Sequence, residues 1–165
     1  MLFEDSIGRP IWLASGEGTG AVLEYKTRIN KRMKTHAEFR SRKFPPYEGE
    51  QEQINPGLWG KRLAEYLKEK LDGLGIETKG IIIEDWGCLL PVKNESFDLS
   101  VACGHQYGDD DVFLCFIEPS RPVIQKLFRK IDTTQEINRL SEALEKILAS
   151  DPDIQDLRWL ENPGG

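Results

Sequence analysis

Cys103 and His105 stand two apart in Val101-Ala102-Cys103-Gly104-His105, and alternate positions of an extended strand share a face. A thiol and an imidazole on one face are the elements of a Cys/His metal site or of a thiolate-imidazole pair. A tight hairpin at residues 106 to 110 would bring Phe113 or Cys115 near them. Tetrahedral zinc sites usually carry two short ligand spacings, and here a single CxH has no second. Cys103, His105 and Cys115 are therefore weak metal candidates, weighed against a packed cysteine beside a hairpin-end histidine. Gly16-Glu17-Gly18-Thr19-Gly20 lacks both the GxGxxG order and the lysine of a phosphate-binding loop. No catalytic signature emerges, so the reading is non-enzymatic and no cofactor is expected.

Two acidic clusters, Glu84-Asp85 and Asp109-Asp110-Asp111, fall at turns. Carboxylates so grouped can hold a divalent cation or face a partner, and equally they can stay in water. In an antiparallel meander both clusters would lie toward one end and form a negative rim. Trp86 in the Asp85-Trp86-Gly87 turn and Arg158-Trp159 near the C-terminus are aromatic positions suited to recognition or to plugging the end of a core. The partner-facing set is thus Glu84, Asp85, Trp86, Asp109, Asp110, Asp111, Arg158 and Trp159.

The elements that must position these groups follow from periodicity. Phe97, Leu99, Val101 and Cys103 alternate with Asp98, Ser100 and Ala102, the pattern of a strand with one buried and one wet face. Val112 to Ile117 is apolar throughout, which predicts a strand covered on both sides, by helices on one and by another segment or a partner on the other. Cys88 to Val92 and Thr78 to Glu84 supply two more strands, and the short polar links between the runs demand antiparallel neighbours. Glu38 to Phe44 reads as a first strand stopped by Pro45-Pro46, and Tyr47 to Ile54 as a loop. Asn55-Pro56 looks like a helix start before the stripe Trp59, Leu63, Tyr66, Leu67, Leu71 and Leu74. A short helix over Val123 to Ile131 would turn Ile124, Leu127, Phe128 and Ile131 inward. A long helix follows, opened by a Thr133/Glu136 capping box, with Ile137, Leu140, Leu144, Ile147 and Leu148 buried. Ile154 to Trp159 reads as an edge strand. The expected fold is α+β: a curved antiparallel sheet of five to six strands with two long helices on one face, in the order β-α-β4-α-α-β.

With 165 residues, 39% hydrophobic and 30% charged, the chain has the composition of one globular domain, which buries roughly 70% of its unfolded surface. Residues 1 to 35 read as an N-terminal extension, with Met33 a plausible alternative start, 36 to 160 as the domain, and 161 to 165 as a frayed tail. No apolar run nears the ~20 residues of a membrane span, and no basic-then-apolar leader opens the chain, so the expectation is a cytoplasmic protein without membrane partners. Cys88, Cys103 and Cys115 lie in apolar strands, as buried free thiols do. Lys26 to Lys43 holds eight basic residues against Glu38 alone, a local +7 that leaves -13 for the rest of a chain of net charge -6. This segment suggests contact with nucleic acid or, more simply, a solvated arm; nucleic acid is the less expected partner.

Glu84-Asp85-Trp86-Gly87 before an apolar strand, Cys103-Gly104, Phe116-Ile117-Glu118-Pro119 and the closing Arg158-Trp159 together resemble a family of small bacterial α+β proteins with an E-D-W-G turn. The likeness spans residues 38 to 160 and implies no activity. Size, acidity and Trp-Gly sheet turns also give a fainter similarity to immunity proteins that neutralise toxins. The function expected is a non-enzymatic protein-binding domain, immunity-like or adaptor, whose partner is another protein or a second copy in a homodimer. The alternatives are a small-molecule binder or hydrolase with a pocket between sheet and helices, and a regulatory module that contacts nucleic acid through residues 26 to 43.

Overall fold

The computed structural model describes residues 33–106 and 108–160. The expected extension, up to residue 32, and the tail lie outside the described residues. In chain order the elements are β1 (His36–Arg40), α1 (Glu50–Gln53), α2 (Lys61–Gly73), β2 (Ile82–Glu84), β3 (Gly87–Val92), β4 (Leu99–His105), β5 (Val112–Glu118), β6 (Val123–Lys126), β7 (Arg129–Asp132), α3 (Thr134–Ser150) and β8 (Gln155–Leu160). The protein is α+β. Six strands form one antiparallel sheet in the order β2-β3-β4-β5-β1-β8, and β6 and β7 form a separate hairpin.

One sheet face is dry because alternate side chains project into it from every central strand. Cys88, Leu90, Val101, Cys103, Phe113, Cys115, Ile117, Ala37 and Phe39 are all essentially inaccessible to solvent. Leu63, Leu67 and Leu71 of α2 and Ile137, Leu140, Leu144 and Leu148 of α3 close over them, as the heptad-like spacing predicts. Each buried leucine contributes roughly 2 kcal/mol of transfer free energy. Leu74 falls outside the core and is exposed.

Several boundaries differ from the sequence reading. Asn55-Pro56 does not start α2: residues 55 to 58 form a turn, in which Leu58 N–H donates to Asn55 O, and the helix begins at Lys61 with Gly60 as N-cap. The capping group comes from the stretch expected to be a loop. Glu50, in the short helix α1, is buried, and one carboxylate oxygen accepts from the Gly60 and Lys61 amides at 2.9 and 2.8 Å. Its other oxygen accepts from the Tyr47 amide at 2.8 Å. An acid on the first turn of a helix satisfies donors that have no intrahelical partner and meets the positive end of the dipole. Gly60 itself is required by closeness: a Cβ there would lie 2.8 Å from the Cys103 carbonyl oxygen.

The segment Val123 to Ile131 is the hairpin β6-β7, not a helix. Ile124 and Ile131 pair across the strands and pack on the core, while Leu127 and Phe128 form the turn, with Phe128 fully exposed. The spacing of 124, 127, 128 and 131 fits a helical stripe equally well, so the ends decide. Thr133 N–H donates to Pro122 O, and the Thr133 hydroxyl donates to Arg121 O. That closure is impossible across a nine-residue helix, which would hold its ends ~13 Å apart. Thr133 is the N-cap position of α3, but its side chain makes no capping hydrogen bond, and the Thr134 amide donates to Asp132.

Along Val112 to Ile117 the described residues supply a helix cover on one side. Burial alternates along β5, with Phe113, Cys115 and Ile117 under the helices and Val112, Leu114 and Phe116 only half-buried on the face that carries no helix. The first strand ends at Arg40 rather than Phe44.

Replacing Glu50 by Ala removes all three charge-assisted bonds and is expected to lower unfolding stability by about 2–3 kcal/mol. Equilibrium urea unfolding checks this; an unchanged midpoint would show that the amides find water instead.

Candidate functional site

Two surfaces combine the singled-out residues with accessible space: one end of the sheet and its helix-free face. The meander places the β2-β3 turn (Asp85, Trp86) and the β4-β5 turn (residues 106 to 111) at the same end. Loop 55 to 59 ties them together, since Asn55 N–H donates to Asp85 O and His105 N–H donates to Trp59 O. Gly87, with φ 153°, and Gly104 let the strands and this loop approach backbone to backbone; a Cβ on Gly87 would meet the Cys103 oxygen at 2.7 Å.

His105 is buried and stacked on Trp59, with ring centroids 3.5 Å apart and planes 7° from parallel. Nδ1 lies 2.9 Å from Gly57 O and Nε2 2.9 Å from Asp109 O. A neutral ring has one N–H and can donate to one of these carbonyls, whereas a doubly protonated ring donates to both. In either state the ring bonds at least one of the two loops that flank it. Cys88, Cys103 and Cys115 form a cross-strand row on the same side of the sheet. Desolvation pushes the Cys88 thiol up to about 12 and raises Cys103 and Cys115 further, which opposes formation of the thiolate that nucleophilic or ligand chemistry needs. Among the described residues no three His, Cys, Asp or Glu side chains gather in metal-binding geometry.

Beyond His105 the end opens into a cleft of about 1040 Å³, lined by Arg40, Arg42, Phe44, Trp59, Asp109 and Asp110 among others. Its acidic rim is partly neutralised. Arg40 Nη2 donates to Asp109 at 2.6 Å and Nη1 to Asp111 at 2.7 Å. Two further cations of the basic segment are paired: Lys34 with Glu145 and Lys43 with Asp151, both at 2.6 Å. Sequence reasoning did not find these pairings because their partners lie about 70 to 110 residues away.

The second surface is the sheet face opposite the helices. One cross-strand row on it reads Ile82, Leu89, Ala102, Phe116, His36 and Leu160 from edge to edge. Trp86 leans over this face onto Phe116, with centroids 5.9 Å apart, and His36 stacks on the same Phe116 at 5.4 Å. Ile82 and Trp86 are 45% and 38% exposed. The next row carries Glu84 at the β2 edge and Arg158 at the β8 edge, where Arg158 Nε donates to Glu38 at 2.9 Å. Of the partner-facing set, the structure brings Glu84, Trp86 and Arg158 to this face and Asp109, Asp110 and Asp111 to the cleft. Asp85 stays in the turn between the two. Trp159 points to the helix side, beneath Lys34. Sequence reasoning missed Phe116 and His36 as surface groups; the alternation of Ala37 and Phe39 around Glu38 was the available signal.

No protein-family model, no curated protein and no solved structure matches this chain. No helix among the described residues is long and apolar enough to cross a membrane.

Desolvation on the open face holds the His36 imidazole below 6.5, against the opposing pull of Glu118. A base with a lowered folded pKa binds fewer protons folded than unfolded, so its contribution to stability is complete above 6.5 and shrinks as pH falls below it. The His36 ring resonances should therefore titrate with a midpoint under 6.5, and stability should fall on acidification less steeply in His36→Gln. A midpoint at or above the ordinary value would mean that the face is better hydrated than its packing implies.

Proposed function

We propose that this protein is a non-enzymatic protein-binding domain that uses the helix-free face of its sheet. The observation that carries the reading is the apolar band of Trp86, Phe116, Leu89 and Ile82, over which the described residues place no helix, whereas α2 and α3 pack on the other face. Contiguous apolar surface of this kind marks an interaction site, and an aromatic at its centre supplies the large contact area that binding hot spots use. The raised thiols and the carbonyl-bound His105 favour a binding role over cysteine chemistry.

The alternatives draw less support. A ligand pocket between sheet and helices would need the space that Trp59, Leu63, Leu67, Leu140 and Leu144 occupy, all of them buried. A nucleic-acid surface on the basic segment would need free cations, and Lys34, Arg40 and Lys43 are each paired with carboxylates.

Wild-type protein and an Ile82→Lys, Trp86→Ala variant, offered as baits to an extract of the encoding organism, separate the outcomes. A protein retained by the wild type, whether another chain or further copies of this one, should be lost from the variant. Identical captures by both baits would rule the sheet face out as the binding surface.

A further inference from the structure

The helix-free face is self-complementary about its own midline. With six strands in the order β2-β3-β4-β5-β1-β8, the midline runs between β4 and β5, parallel to the strands. A two-fold rotation about an axis lying over that line stacks two such faces with β2 of one copy over β8 of the other, and β4 over β5. In the apolar row this sets Ile82 against the partner's Leu160, the two exposed ends of the row.

Charge follows the same symmetry. The row that contains Gly104, Leu114 and Glu38 ends in Glu84 at the β2 edge and in Arg158 at the β8 edge, so the rotation places each Glu84 against the partner's Arg158, twice over. Arg158 already binds Glu38 on its own chain, yet its side chain remains 65% exposed and has donors to spare. Trp86, on Phe116, sits close to the axis, where hot-spot aromatics concentrate. Six strands about 4.8 Å apart and five residues long span roughly 500 Å² in projection per copy, so a pair reaches the ~1,000 Å² that a specific interface requires.

We infer that the occupant of the helix-free face is a second copy of this chain, packed face to face about that two-fold axis, with Glu84 of each copy paired to Arg158 of the other. This rests on the protein-binding reading and names its partner.

Sedimentation equilibrium of the full chain tests it by charge exchange. Wild type is expected to be a dimer. Glu84→Arg alone opposes arginine to arginine and Arg158→Glu alone opposes glutamate to glutamate, so each should weaken dimerisation roughly tenfold or more. In an equimolar mixture of the two variants, a mixed dimer sets arginine against glutamate at both edge contacts, so dimerisation should return. A monomeric wild type, a dimer indifferent to both changes, or a mixture no stronger than its components overturns the pairing. If Arg158→Glu does not fold, Ile82→Lys decides: a monomer supports the interface and an intact dimer overturns it. A wild-type monomer that still captures a different protein through Trp86 overturns the two-fold dimer and leaves the protein-binding reading standing.

Discussion

The buried Glu50 carboxylate is the contact on which the arrangement of this domain turns. It binds the first amides of α2 with one oxygen and the Tyr47 amide with the other, so helix, loop and α1 converge on one charged group. A buried carboxylate is costly unless every lone pair is used, and here three amides and a helix dipole offset the desolvation. Because Gly60 is held there, its backbone can press against the Cys103 carbonyl at a distance no side chain would allow. Trp59 is thereby fixed over His105 at the end of the sheet.

From that junction the two faces of the sheet take different fates. On one side, α2 and α3 meet the side chains of β3, β4, β5 and β1 and exclude water. On the other, Gly87 and Gly104 flatten the surface beside Trp86, which folds down onto Phe116 instead of standing in solvent. The result is an apolar band bounded by Glu84 and Arg158, charges of opposite sign at opposite edges.

Electrostatics here is largely intramolecular. Among the described residues of the positive stretch, Lys34, Arg40 and Lys43 are matched by Glu145, Asp109, Asp111 and Asp151 brought in from other elements. Asp109 and Asp111 of the acidic triplet are tied down by the same pairing. Charge runs in a sequence describe neighbours along the chain, whereas the field at a surface depends on neighbours in space.

Period-two and period-3.6 spacings made most of the fold legible from residue types alone: the antiparallel meander, the buried thiols, the inward stripes of both long helices and the C-terminal edge strand. Those features are local, since alternation or a helical stripe fixes which face a residue takes once the element exists. The candidate face was only half legible, because Glu84, Trp86 and Arg158 stood out as residue types while Phe116 and His36 did not. Tertiary contacts decided the rest. Val123 to Ile131 satisfies a helix and a hairpin equally, and hydrogen bonds between its two ends select the hairpin. Asn55-Pro56 has the chemistry of a helix start, but a carboxylate from five residues upstream and a glycine contact with β4 move that start to Lys61. Whether β5 is covered once or twice depends on which layers pack against the sheet, and among the described residues the helices lie on one face.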